Sequence, residues 1–303
     1  MYKIPKDFGN FDRKIALELL NLIEEAYNQL ERYQEAQKQK TTESNSNWED
    51  DLTPIDSNVR KYEILANLAS TQNFLLDKSK RVPFGFIAKK KNTQNIYIIF
   101  RGTVTPKEWI NNLKFTQSSY QKKDNHKICN SIDDSITGEI HRGFLKTYTN
   151  KEQINSIKFK IEETLKNCPE NTRIFIAGHS LGGALATIAA FHIHFSTVIP
   201  FKNPTLYSFA SPRVGDRDFA GNFQQLTESY RIANSEDIIP KVPIISLLLA
   251  SARLPGKSGA ASLVNDFSSK LDYQHVGVPI YFTLGNNNIV DHHSLETYRQ
   301  ALL

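Results

Sequence analysis

One stretch, RIFIAGHSLGGALATIAA from Arg173 to Ala190, restricts what this chain can fold into more than any other. Ile174, Phe175 and Ile176 are β-formers without a polar break, the pattern of a short strand buried on both faces. From Leu181 onward the residues suit a helix packed tightly through Gly182, Gly183 and Ala184. Between them lies Gly178-His179-Ser180-Leu181-Gly182, a G-x-S-x-G. In a strand–turn–helix of this kind the serine takes a strained backbone conformation, and glycines two residues either side prevent clashes. The turn lifts Oγ out of the sheet. The five-residue pattern alone arises by chance in about one chain of this length in ten. Its flanks therefore decide, and strand before with helix after is the context it requires.

The remaining chain supplies alternating elements. Ile15, Leu19, Leu20, Leu22, Ile23, Ala26, Tyr27 and Leu30 form an apolar stripe at helical spacing over about residues 11–38. Polar QEAQKQKTTESNSN, Gln34 to Asn47, reads as a connection to the body. VPFGFIAKKKNTQNIYIIFRG carries two β-rich runs around a polar turn, which predicts a hairpin. Helices are expected around 107–115, 143–149, 152–166, 180–195, 216–226 and 292–302. Strands are expected at 173–178, 204–210, 228–233 and 278–284. This alternation predicts one α/β domain over residues 1–303, with the helix and polar connection in 1–60.

A serine hydroxyl is a weak nucleophile at neutral pH and needs a base within reach, oriented by an acid. The acid belongs on a loop after a strand downstream of the serine turn, and the histidine after the last strand. SYRIANSEDIIPKVP offers Glu236 and Asp237, and NNNIVDHHSLETYRQAL offers His292 and His293. His275 precedes the last strand, the wrong end for reaching the turn, and is expected to be structural.

Five segments in order, IIFRGTVTPKEWINNL, HRGF, IAGHSLGGALA, YSFASPRVGDRDFA and YRIANSEDIIPKVP, with a looser DHHSLETY, resemble the class 3 lipases. That family is related to the fungal triacylglycerol lipases. The resemblance covers about residues 80–302 and implies an α/β-hydrolase fold, with a mostly parallel sheet flanked by helices. It implies Ser180 as nucleophile, Asp237 as acid and His293 as base, since Leu295 and Tyr298 then fall where the family packs its last helix. Asp291 would cap that helix and leave His292 pointing outward. Thr103 matches the family's oxyanion residue, and the Leu181 N–H, next after the serine, is the second donor by geometry. His141 and Arg213 match family landmarks and are expected to be structural or pocket-lining.

The resemblance also implies a helical lid in TPKEWINNLKF, where Trp109 and Leu113 share one face; a plain surface helix is the competing expectation. Val242 to Val264 carries an apolar cluster from Ile244 to Leu249, expected to wall the acyl site or dip into lipid. A long-chain acyl ester is the implied substrate, with no cofactor and no metal. A phospholipase A1 or galactolipase, or a non-catalytic lipid- or protein-binding module, are the alternatives.

Composition narrows the partners. Net charge is +5, yet 32 acidic residues dilute the basic field and no nucleic-acid motif is present. Lys89-Lys90-Lys91 and Lys122-Lys123 are expected in solvated loops, with weak attraction to anionic membranes as the other reading. No window of 18 consecutive apolar residues exists. Two cysteines, Cys129 and Cys168, suit a reducing compartment. The expectation is a cytoplasmic protein that touches a membrane or lipid-droplet surface peripherally.

Overall fold

The computed structural model describes residues 4, 9–39, 60–71, 81–103, 117–119, 138–149, 155–169, 171–200, 203–224, 228–241, 273–284 and 290–303. Trp109, Leu113 and the Ile244–Leu249 cluster lie outside them, as do His126, Cys129, Lys122 and Lys123.

The first helix, α1, spans Arg13–Gln39. Asp12 starts it, accepting the N–H groups of Lys14 at 2.8 Å and Ile15 at 3.1 Å through Oδ1. Leu19, Leu20, Leu22, Ile23 and Ala26 are wholly buried on one face of it. Then come β1 (Tyr62–Thr71), β2 (Arg81–Lys90), β3 (Ile96–Phe100), β4 (Gln117–Ser119), β5 (Glu139–His141), α2 (Arg142–Thr149) and α3 (Ile157–Leu165). They are followed by β6 (Ile174–His179), α4 (Leu181–Phe195), β7 (Thr205–Phe209), α5 (Arg217–Gln224), β8 (Ser229–Asn234), β9 (Val278–Phe282) and α6 (Leu295–Leu302). Short 3-10 turns cover Ile239–Lys241 and Asp291–His293.

Seven strands form one sheet in the order β1-β2-β3-β6-β7-β8-β9. The β1, β2 and β3 pairings are antiparallel, and β3, β6, β7, β8 and β9 run parallel. The fold is that of the α/β hydrolases. β4 and β5 pair separately. β1 had no counterpart in the sequence reading. The expected hairpin is β2–β3, and Lys89 and Lys90 stand in β2 rather than in a loop. Lys90 Nζ meets Glu18 Oε1 of α1 at 2.7 Å. Among the described residues no helix is long and apolar enough to cross a membrane.

Two cores flank the sheet. On one face α1 and α6 cover Tyr97, Phe175, Tyr207, Phe209 and Ile232. On the other, α2, α3, α4 and α5 cover Ile98, Ile176 and Leu206. Buried His192 in α4 ties three helices together, bonding the Tyr148 hydroxyl at 2.8 Å and Glu162 Oε1 at 3.0 Å.

Parallel pairing has a positional consequence. The register sets Phe100 of β3 against Gly178 of β6, His179 against Phe209, and Asn234 against Phe282. The residues after β3, β6, β8 and β9 therefore leave the sheet along one edge, the edge at which α/β sheets bind ligands.

Candidate active site

Ser180 follows β6 and adopts φ +59°, ψ −126°, a left-handed conformation that costs a non-glycine residue about 1–3 kcal/mol. The surroundings impose it. Ser180 N–H donates to the Phe209 carbonyl at 2.9 Å, and α4 begins at the next residue. A Cβ on Gly178 would lie 2.1 Å from the Gly182 carbonyl oxygen, and one on Gly182 2.5 Å from that of Arg101. Only glycines let β6, the helix start and the β3 loop approach so closely. Leu181, first in the helix, has an N–H with no intrahelical acceptor.

Across the turn stand Arg101, Gly102 and Thr103. Arg101 is fully buried, donates from Nε to the Pro83 carbonyl at 2.7 Å and from Nη1 to the Gly102 carbonyl at 2.6 Å, and stacks on Phe84. Burial lowers its pKa to about 10, so it stays charged at neutral pH. These bonds hold the Gly102–Thr103 backbone beside Ser180. A Cβ on Gly102 would lie 2.7 Å from Ser180 Cβ.

Asp237 is 1% exposed, in the turn after β8. Its Oδ1 accepts the Ile239 N–H at 2.9 Å, while Oδ2 accepts His293 Nδ1–H at 2.7 Å and the Tyr298 hydroxyl at 2.9 Å. A carboxylate only accepts, so the proton of neutral His293 sits on Nδ1 and its lone pair on Nε2. Burial, and then the Asp237 charge, hold the Tyr298 pKa well above the usual tyrosine range, so it remains a donor.

Ser180 Oγ, His293 Nε2 and Thr103 Oγ1 are among the buried polar atoms that lack a hydrogen-bond partner among the described residues. Unpaired buried groups are rare and costly, and such groups concentrate where a reacting molecule supplies the partner. Thus Asp237 and His293 are brought together, and Ser180 and Thr103 both adjoin Gly102. Glu236 is exposed and its N–H bonds Asn234 Oδ1 at 3.3 Å.

Two expectations about the histidine loop need correction. His292 does not point outward; it is 8% exposed, because the 3-10 turn over Asp291–His293 turns both histidines inward. The cap of α6 is Ser294, not Asp291: Ser294 Oγ accepts the Thr297 N–H at 3.2 Å. His275 stays structural, bonding the Pro240 carbonyl, and Arg213 donates to the Lys241 carbonyl at 3.3 Å. His141 accepts the Gly143 N–H at 3.1 Å at the start of α2.

Three supporting residues escaped the sequence reading. Asn234 Nδ2 donates to the Leu284 carbonyl at 2.6 Å and the His292 carbonyl at 3.1 Å, pinning the histidine loop to the end of β8. His179 Nε2 lies 2.9 Å from the His293 carbonyl oxygen, and its Nδ1 lies 2.9 Å from the Tyr27 hydroxyl of α1. Burial first, and then the charge His293 can carry, keep the His179 ring neutral. Because a carbonyl only accepts, Nε2 holds the proton, so Tyr27 donates to Nδ1. The Tyr27 oxygen in turn accepts the Gly102 N–H at 2.9 Å.

A family model described as lipase (class 3) matches residues 97–247. The chain belongs to the class 3 lipase family. A secreted mono- and diacylglycerol lipase of Fusarium solani is 32% identical over 163 residues, covering 53% of this chain and 43% of that protein. A phospholipase A1 of rice is 31% identical over 181 residues, 54% of this chain and 43% of that one. This class 3 lipase chain thus spans under half the length of these relatives. The structure of the Rhizomucor miehei lipase propeptide complex superposes with a TM-score of 0.55 at 19% identity, covering 90% of this chain and 70% of that one. That likeness places the class 3 lipase chain in the same fold.

Proposed function

We propose that this chain hydrolyses carboxylic esters of acyl glycerolipids, with Ser180 as nucleophile, His293 as general base and Asp237 as the orienting acid. The observation that carries the reading is the buried pair of unpartnered atoms, Ser180 Oγ and His293 Nε2, with His293 Nδ1 fixed on Asp237. Ser180 Oγ attacks the ester carbonyl carbon while His293 Nε2 takes its proton. Asp237 steadies the imidazolium through the Nδ1 bond. The developing oxyanion accepts from the N–H groups of Leu181 and Thr103 and from the Thr103 hydroxyl, each such donor being worth about 3 kcal/mol of barrier. His293 returns the proton to the leaving alcohol. Water, deprotonated by the same nitrogen, then releases the acid from Ser180.

The names of the two relatives, a mono- and diacylglycerol lipase and a phospholipase A1, support an acyl glycerolipid as substrate. The rice relative keeps a phospholipase A1 reading as the second one. The reading includes a single lipase domain, and a cytoplasmic enzyme that works at a membrane or lipid-droplet surface through Trp109 and Leu113. A panel of soluble esters and emulsified tri-, di- and monoacylglycerols, phospholipids and galactolipids tests it. No turnover on any member, by a protein whose Ser180 reacts with a fluorophosphonate, would leave only a binding module.

A further inference from the structure

Arg101, directly after β3, is a fully buried cation. Its Nε donates to the Pro83 carbonyl at 2.7 Å and its Nη1 to the Gly102 carbonyl at 2.6 Å, while Nη2 has no partner among the described residues. No carboxylate pairs with it there. An apolar side chain of similar volume, packed on the Phe84 ring, would avoid desolvating an uncompensated charge, and replacements of that kind often stabilise a protein. Anchoring the loop does not call for the charge either, because the Arg101 N–H already bonds the Phe84 carbonyl at 2.9 Å. The destination of the Nη1 bond gives the cation a use.

The Gly102 carbonyl and the Thr103 N–H are the two ends of one planar, trans amide, so they point in opposite directions. The carbonyl is turned toward the guanidinium, which lies against Pro83 and Phe84 of β2. β3 stands between β2 and β6 in the sheet, and Ser180 follows β6. The Thr103 N–H is therefore turned to the side that carries Ser180, and a Cβ on Gly102 would lie 2.7 Å from Ser180 Cβ. The preceding amide is held separately, by the Gly102 N–H donating to the Tyr27 oxygen at 2.9 Å. A bond from a cation is stronger than a neutral one, and drawing electrons toward a carbonyl oxygen makes the N–H at the far end of the amide a better donor. That gain grows with the negative charge on the acceptor, so it favours the transition state over the neutral ester.

We propose that Arg101 is a positioning residue for ester hydrolysis: its guanidinium, acting through the Gly102 carbonyl, aims the Thr103 N–H and strengthens it as an oxyanion donor. Arg101 touches no reacting atom. The inference rests on the ester-hydrolase reading given above, with Thr103 at the oxyanion.

Steady-state kinetics on a soluble ester, together with inhibition by an alkyl boronic acid that forms a tetrahedral adduct on Ser180, test it in the full chain. Arg101→Met should lower kcat about ten- to hundredfold, less than the loss of a whole oxyanion donor. Boronic-acid affinity should fall by the same factor, with KM changed by less than about twofold. Fluorophosphonate labelling should still reach completion, which shows that Ser180 and His293 remain in place. Arg101→Lys, which keeps the charge, should recover part of both losses. If Arg101→Met does not fold, Arg101→Gln, which keeps one donor and drops the charge, decides by the same split. A folded neutral variant with unchanged kcat and boronic-acid affinity overturns the proposal, as does a loss carried by KM or a lysine variant no better than the neutral one. Wild-type protein that neither turns over an ester nor binds the boronic acid would instead overturn the hydrolase reading itself.

Discussion

The Tyr27 hydroxyl donates to His179 Nδ1 across 2.9 Å of space and 152 residues of chain. Through it α1 reaches the residue beside Ser180, and through the other ring nitrogen the backbone of His293. The same hydroxyl holds the Gly102 N–H next to Thr103. Tyr27→Phe removes one donor and one acceptor and leaves two buried groups unpaired, a loss of about 1–3 kcal/mol of stability. It should also lower kcat about tenfold or more with KM little changed, because Thr103 and His293 lose registry only where the transition state needs it. Equal kcat in the two proteins would show that the link is purely structural.

Ser180→Ala should abolish fluorophosphonate labelling and lower ester turnover by about four to six orders of magnitude. Ser180→Gly should be as inactive yet more stable than the alanine variant by about 1 kcal/mol, because glycine adopts φ near +60° without strain. Calorimetry on the two inactive proteins reads that difference directly.

The histidines separate by function. His293→Ala should be nearly as inactive as Ser180→Ala. His275→Ala should keep most of its turnover, since that ring contacts the Pro240 carbonyl and not Asp237. His292→Ala should lose stability because the side chain is buried, but retain catalysis in the folded fraction. Initial rates normalised to active-site titration distinguish them.

Stability should depend on pH through His179 and His275. Both have folded-state pKa values lowered by burial, so the folded protein binds fewer protons than the unfolded chain below pH about 6.5. Their contribution is complete above that pH and is lost as pH falls toward the folded values. For one such group the slope is about 1.4 kcal/mol per pH unit. Urea unfolding between pH 6 and pH 4.5, approximate limits of that window, should therefore show a shallower decline in His275→Asn than in the parent.

The Ser180 turn and the order of elements after it were legible because local chemistry specifies them: Gly178 and Gly182 are required by contacts within one strand–turn–helix. β1 was not. Its register shifts between Ile64 and Ala66 and again between Leu68 and Ala69, which breaks the two-residue alternation that marks a strand. Tyr27 sits on a helical stripe that reads as core, and nothing near it in sequence names His179 as partner. Asn234 at a strand end reads as a turn former, while its amide in fact holds two carbonyls fifty and more residues away. The inward turn of His292 is set by a single 3-10 turn, below what a residue pattern resolves.

α1 and α6 share one face of the sheet, joined by Arg299 to Glu24 at 2.8 Å and by Arg13 to the Leu302 carbonyl at 3.3 Å, across 275 and 289 residues. Contacts so distant along the chain close late in folding, because their loop entropy is offset only once the intervening structure exists. Tyr27 lies in the first of these helices, Tyr298 in the second, and His293 directly before it. A refolding chain should therefore assemble its serine turn before α6 docks and fixes the histidine loop that precedes it. Turnover should return in the slowest kinetic phase, after helix content has recovered.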